Sequence, residues 1–286
     1  MGSTANAPSA AEKLSEQRCF GGVQGFYRHH SAACSGPMRF GVFTPPQPGP
    51  RPLLIFLAGL TCTEETFAIK AGAQRLAAEL GLVLVTPDTS PRGTGIDAAS
   101  GDWEFGEGAG FYLDATKAPY SARFNMQRYL LDELLPALAA NFSVDLQRCG
   151  IFGHSMGGHG ALTLALKNPG RFKSCSAFAP IVAPSQVPWG EKAFSRYLGE
   201  DRSCWRAYDA TALIEDGHRF DAELLIDQGL EDKFLAGQLK PELLEAACAK
   251  AGQALNLRRH EGYDHSYWFI QSCVEDHLRH HAAALR

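Results

Sequence analysis

The segment Ile151-Phe152-Gly153-His154-Ser155-Met156-Gly157 sets a serine at the centre of G-x-S-x-G, behind a short apolar run and ahead of a helical one. The five-letter pattern is common, and a serine that merely caps a helix would produce it too. Its context is more restrictive. Arg148 to Phe152 reads as a strand and Ala161 to Leu166 as a helix, so the serine falls at a sharp strand-to-helix turn. Such a turn needs small residues on both sides and holds a nucleophile up at the end of a sheet.

The rest of the chain supplies the sheet. Leu53 to Leu57 is a near-continuous apolar run of strand length, as expected of a strand covered on both faces. It is followed by the loop Ala58-Gly59-Leu60-Thr61-Cys62-Thr63, a helix over 71–80 stopped by Gly81, and a strand at Leu82 to Val85. Strand, helix, strand at this spacing predicts a right-handed parallel unit. Met38 to Phe43 reads as an earlier strand, closed by the proline-rich turn at 44–52. Leu131, Leu134, Leu135 and Leu138 follow helical spacing. Beyond the serine the pattern gives strands at 174–179, 223–227 and 256–260. It gives helices starting near Pro241 and at about His265, and an unassigned excursion over 184–216. The stretch 87–120, rich in Gly, Asp, Trp and Phe, reads as one long functional loop.

The expected architecture is therefore α/β: a mostly parallel central sheet flanked by helices on both faces, the α/β-hydrolase fold. No repeat or composition break divides the 286 residues. One catalytic domain over 18–286 is expected, behind a polar, mobile N-terminal arm at 1–17. A net charge of −4 gives no reason to expect nucleic acid or an anionic membrane as a partner. No apolar run reaches a membrane span, and no secretory signal opens the chain, so a cytoplasmic location is expected. The eight cysteines show no C-x-x-C and no close pairing, which argues for reduced, mostly buried thiols and against a metal site.

A serine hydroxyl needs an imidazole to take its proton and a carboxylate to orient that imidazole. In the order nucleophile, acid, base, the strand ending Leu224-Leu225-Ile226-Asp227 offers Asp227 within the strand and Asp232 in the loop beyond. The loop position suits the orienting acid, and Asp227 reads as structural. For the base, His265, on a glycine-bearing loop before the last helix, is better placed to reach the serine than His260 at a strand end. His277, His280 and His281 read as surface residues near a helix C-terminus. His154 and His159 lie too close to the serine in sequence to fold back on it. The oxyanion donors expected are the backbone N–H groups of Met156 and Leu60. Cys62 is either a small buried hydrophobe or a residue of the pocket edge.

Several segments together resemble the S-formylglutathione hydrolase family, also called the esterase D family. They are Leu57-Ala58-Gly59-Leu60-Thr61-Cys62-Thr63-Glu64-Glu65, Gly106 to Thr116, the serine turn through Ala161, Asp227-Gln228-Gly229, and Glu261-Gly262-Tyr263-Asp264-His265-Ser266-Tyr267. The resemblance runs from about residue 18 to 284. It implies the same triad, Ser155, Asp232 and His265, and a cytosolic homodimer without cofactor that acts on a small-molecule glutathione thioester in formaldehyde detoxification. Two departures, Ala58 for a usual Ser and Glu104 for a usual Asp, bear on the acyl pocket. Formyl is the smallest acyl group, so bulky side chains such as Trp103, Phe105, Tyr112 or Trp189 are expected to crowd its site. Glutathione carries two carboxylates and one ammonium, and Lys192 is the expected cation for it. The rival readings are a general small-acyl carboxylesterase, an acyltransferase, and a non-catalytic α/β-hydrolase binding module.

Overall fold

Leu53 to Leu57 is apolar throughout and so requires cover on both faces; the computed structural model, which describes residues 10–286, buries it at the centre of a nine-stranded sheet. The strands are β1 (Glu12–Cys19), β2 (Gly22–Ser31), β3 (Gly36–Thr44), β4 (Arg51–Leu57), β5 (Val83–Pro87), β6 (Val144–His154), β7 (Ser174–Phe178), β8 (Leu224–Gly229) and β9 (Leu255–His260). They lie in the order β1-β2-β3-β5-β4-β6-β7-β8-β9. The first three strands and β5 pair antiparallel, and every pair from β5 through β4 to β9 is parallel.

The helices are α1 (Glu64–Lys70), α2 (Gln74–Leu80), α3 (Met126–Arg128), α4 (Leu135–Asn141), α5 (Met156–Lys167), α6 (Pro188–Tyr197), α7 (Ala210–Glu215), α8 (Pro241–Ala251) and α9 (Tyr267–Ala284). A π-helical segment, Tyr129–Leu134, joins α3 to α4 into one continuous rod. Successive residues of β7 show how both faces are covered, because side chains alternate along a strand. Cys175 points at α5, its thiol 3.6 Å from the Ala161 carbonyl, whereas Ser174 and Ser176 point at His281 of α9. Almost all of α5 is buried, from Met156 to Leu166. No helix among the described residues is long and apolar enough to cross a membrane, and all eight cysteines are free.

Four sequence expectations need correction. The arm expected over 1–17 does not extend to residues 12–17, which belong to β1 and hydrogen-bond to β2, while 1–9 lie outside the described residues. The helix expected over 71–80 starts later, at Gln74 of α2, and a further helix, α1, ends at Lys70 before it, the chain turning between them at Gly72 with φ of 68°. The excursion over 184–216 contains α6 and α7. His277 and His281 are wholly buried, not superficial, because they continue the inward row Cys273, His277, His281 at i, i+4 spacing.

Those buried imidazoles form a directed chain of hydrogen bonds. Asp227 can only accept, so His277 donates to it from Nε2 (3.2 Å) and takes the Ser176 hydroxyl at Nδ1 (2.8 Å). Ser176 in turn accepts from His281 Nε2 (2.8 Å), whose Nδ1 accepts from Ser174 (2.6 Å). Arg258 closes the other end with two contacts of 2.6 Å on the Asp227 carboxylate. Burial drives the pKa of both histidines down, so each stays neutral and fits a chain that needs one donor and one acceptor per ring.

Candidate active site

Strand β6 delivers Ser155 to the carboxyl edge of the sheet, where the backbone turns with φ 57° and ψ −119° before entering α5. That left-handed conformation is costly for a residue with a Cβ, of order 1–3 kcal/mol, and persists only where the surroundings enforce it. Here they do: the Ser155 N–H donates to Phe178 (2.9 Å), and its carbonyl accepts from His159 (3.0 Å). The flanking glycines are required by space. A Cβ on Gly157 would sit 1.9 Å from the Leu57 carbonyl oxygen, and one on Gly153 would sit 2.3 Å from that of Gly157. The Ser155 side chain makes no capping hydrogen bond to α5, so its hydroxyl is not spent on the helix.

Asp232 and His265 arrive from the loops after β8 and β9. His265 Nδ1 lies 2.5 Å from Asp232 Oδ2. A carboxylate only accepts, so the proton belongs on Nδ1 and the Nε2 lone pair is left for the serine. The Asp232 side chain is fully buried and also accepts the Phe234 N–H at 2.8 Å and the Gln228 amide at 3.4 Å. His265 and Ser155 line one cleft of about 250 Å³.

Leu60 lies on the wall of that cleft. Its neighbours have committed their N–H groups, Thr61 to Gly108 (2.9 Å) and Cys62 to Gly59 (3.3 Å), whereas the Leu60 N–H has no acceptor among the described residues. Met156 opens α5, so its N–H is one of the unpaired donors of a helix start. Thr61, with φ of 68°, shapes the turn that presents Leu60. The Tyr112 hydroxyl, deeply buried, donates to the Ala58 carbonyl (2.9 Å) and fixes the loop from behind.

Other anticipated residues divide. Cys62, Trp103 and Trp189 line the cleft, with the two indoles edge to face at 5.6 Å; burial raises the Cys62 pKa and keeps it a thiol. Phe105 and Tyr112 are buried behind the cleft and do not line it. Lys192 is absent from the lining as well: its ammonium is bound to Asp102 and Glu104 at 2.8 Å each. His260 stands 3.2 Å from Asp227, behind the sheet edge. Asp227, His260 and Cys273 could each offer an atom to a metal, but Arg258 already neutralises both Asp227 oxygens, so the group has no need of a cation.

Sequence reasoning gives no site role to six further members of the lining: Thr61, Thr66, Lys70, Phe234, Ser266 and Tyr267. It also missed the place of His154, whose ring lies 4.4 Å from that of His265. Burial first, then the nearby His265, holds the His154 pKa well below its ordinary value, so a neutral ring sits against the base. Adjacency in sequence to Ser155 was the available signal. The same adjacency bars His154 from acting as the base.

The family model described as "Putative esterase" matches residues 31–280. An S-formylglutathione hydrolase of Mus musculus is 51% identical over 279 residues, 96% of this chain and 99% of that protein. One from Rattus norvegicus is 49% identical over 277 residues, covering 96% and 98%. Among solved structures, an S-formylglutathione hydrolase from Agrobacterium tumefaciens superposes with a TM-score of 0.94 at 50% identity, covering 96% of this chain and all of that one.

Proposed function

The chain belongs to the esterase family and to the S-formylglutathione hydrolases within its reach, and from that premise we propose that it cleaves S-formylglutathione to glutathione and formate. The observation that carries the mechanism is the 2.5 Å contact of His265 Nδ1 with the buried Asp232, made in the same cleft as Ser155. His265 Nε2 takes the proton of Ser155 as its oxygen attacks the formyl carbon. The oxyanion is held by the N–H groups of Leu60 and Met156. The carbon–sulfur bond then breaks, the departing glutathione sulfur takes the proton from His265, which returns to its neutral form, and a formyl ester remains on Ser155. Water, deprotonated by His265, attacks that ester and releases formate.

Leu60, Cys62, Trp103 and Trp189 bound the acyl side. A cleft of about 250 Å³ falls below the roughly 300–1,000 Å³ of sites that enclose a drug-sized ligand, which favours a small acyl group. The mechanism calls for neither metal nor cofactor, since an imidazole and two N–H groups supply the proton transfer and the charge stabilisation. Family resemblance supports a homodimer working in the cytoplasm in formaldehyde detoxification, with carboxylesterase side activity on small acyl esters. The test compares S-formylglutathione with formyl, acetyl and butyryl esters of 4-nitrophenol. A kcat/KM for the thioester well above all three is expected; equal values would reduce the protein to a general esterase.

A further inference from the structure

The cleft around Ser155 adjoins, beside His265, a second hollow of about 460 Å³. The two share Phe234, His265 and Ser266. The second hollow is charged: it is lined by Lys233, Glu231 and Asp264. Lys233 rests its ammonium 4.9 Å from the Phe234 ring centre, and neither it nor Glu231 has an ion-pair partner among the described residues. Lys70, which lines the catalytic cleft but not the second hollow, stands 5.8 Å from the Tyr267 ring centre, also without a carboxylate partner among the described residues. By contrast Lys192 is held between two acids.

The loop that carries these charges is rigid for a catalytic reason. Glu231 and Lys233 flank Asp232, and the Glu231 N–H donates to Tyr263 at 2.9 Å. The Phe234 N–H is fixed on the Asp232 carboxylate at 2.8 Å. Holding the triad acid in place therefore also holds a cation and an anion beside the base, and prearranged charges lose little entropy on binding a ligand. Phe234 lies 5.0 Å from the His265 ring, so the Lys233 ammonium stands one aromatic ring away from the imidazole. The γ-glutamyl arm of glutathione carries its α-carboxylate and ammonium on a chain longer than two backbone residues, which places them more than about 7 Å from the sulfur when extended.

We infer that the hollow beside His265 is the seat of the γ-glutamyl end of glutathione. Lys233 takes the α-carboxylate, Glu231 takes the α-ammonium, and Lys70 of the catalytic cleft takes the glycyl carboxylate. The inference rests on the S-formylglutathione reading and assigns the leaving-group contacts within it.

The experiment uses the full chain and two measurements. One is the ratio of kcat/KM for S-formylglutathione to that for uncharged 4-nitrophenyl acetate. The other is inhibition of the acetate reaction by S-methylglutathione and by S-methylcysteinylglycine, which lacks the γ-glutamyl group. Lys233→Gln and Glu231→Gln should each lower the ratio about fivefold, as expected of one partly exposed ion pair, and weaken S-methylglutathione by the same factor. S-methylcysteinylglycine should lose affinity in Lys70→Gln and be indifferent to Lys233→Gln. A ratio unmoved by Lys233→Gln and Glu231→Gln, or one that falls with Lys192→Gln instead, overturns the assignment while leaving the thioesterase reading standing. A wild-type enzyme that binds S-methylglutathione through Lys233 yet does not cleave S-formylglutathione would keep the hollow as a γ-glutamyl site and remove the thioesterase reading.

Discussion

Asp227 and Asp232 stand at the end of one strand and hold different histidines, Asp232 accepting from His265 at 2.5 Å and Asp227 from His277 at 3.2 Å. Only the first pair opens on the cleft. The second is buried behind the sheet with Arg258 upon it, where two opposed charges satisfy each other. Asp232→Asn should therefore lower kcat about 10⁴-fold, by removing the acceptor that sets the His265 tautomer, with little change in the urea midpoint. Asp227→Asn should do the reverse, costing about 3–5 kcal/mol of stability by leaving Arg258 with an incomplete partner, while turnover per folded molecule changes only severalfold. Urea melts alongside active-site titration separate the two, and a large catalytic loss in both would refute the division of roles.

Ser155→Ala should keep the fold and lose nearly all thioester turnover. Ser155→Gly should lose the same activity yet be the more stable of the two by about 1 kcal/mol, because glycine adopts a φ of 57° without strain. Differential scanning calorimetry of the pair checks this; a less stable glycine variant would mean that the turn stores no strain at Ser155.

The acid side of the stability profile follows from His159. Burial presses its pKa to about 4, although the Phe111 carbonyl accepts its Nε2–H at 3.0 Å. The unfolded chain takes up a proton near 6.5, the folded one only near 4, so the contribution of this neutral ring is complete above about pH 6.5. It is lost progressively as the pH falls towards 4, to the extent of roughly 3 kcal/mol. The drop in unfolding free energy between pH 7 and pH 4.5 should be visibly smaller in His159→Gln, and an equal drop in both proteins would contradict it.

Two glycines make a matched test of space. Gly157→Ala places a methyl 1.9 Å from the Leu57 oxygen and should cost several kcal/mol or prevent soluble expression. Gly237→Ala meets nothing within 4 Å and should be neutral or stabilising by about 0.4–1 kcal/mol. Thermal melts decide, and a tolerated Gly157→Ala would show that α5 can shift at its first turn.

Where burial and periodicity agreed, the chain could be read directly. The apolar run of β4, the turn at Ser155 and the loop histidine at 265 all follow from local patterns that the packed fold reinforces. The edge strand β1 is illegible in the sequence for a physical reason. β1 is exposed on nearly its whole length, so nothing imposes an apolar alternation on it. Its hairpin turns through Phe20 and Gly21, both at positive φ, without the Asn-Gly or Asp-Gly pair that advertises such a turn. The buried histidines of α9 misled because their partners, Ser174, Ser176 and Asp227, come from strands fifty or more residues away. Lys192 misled likewise: nothing beside it in sequence announces that Asp102 and Glu104 have claimed it.

Helix α9 begins two residues after the proposed base, and it is seated on the sheet by the run from Ser174 through His281, Ser176 and His277 to Asp227 as well as by apolar contact. Greasy surfaces tolerate sliding; a row of donors facing acceptors does not. Moving the helix by one turn would break every link together, so it has one docking position and no graded neighbours of it. The imidazole at its head thus inherits its address from a keyed joint on the far side of the sheet, a lock with a single notch.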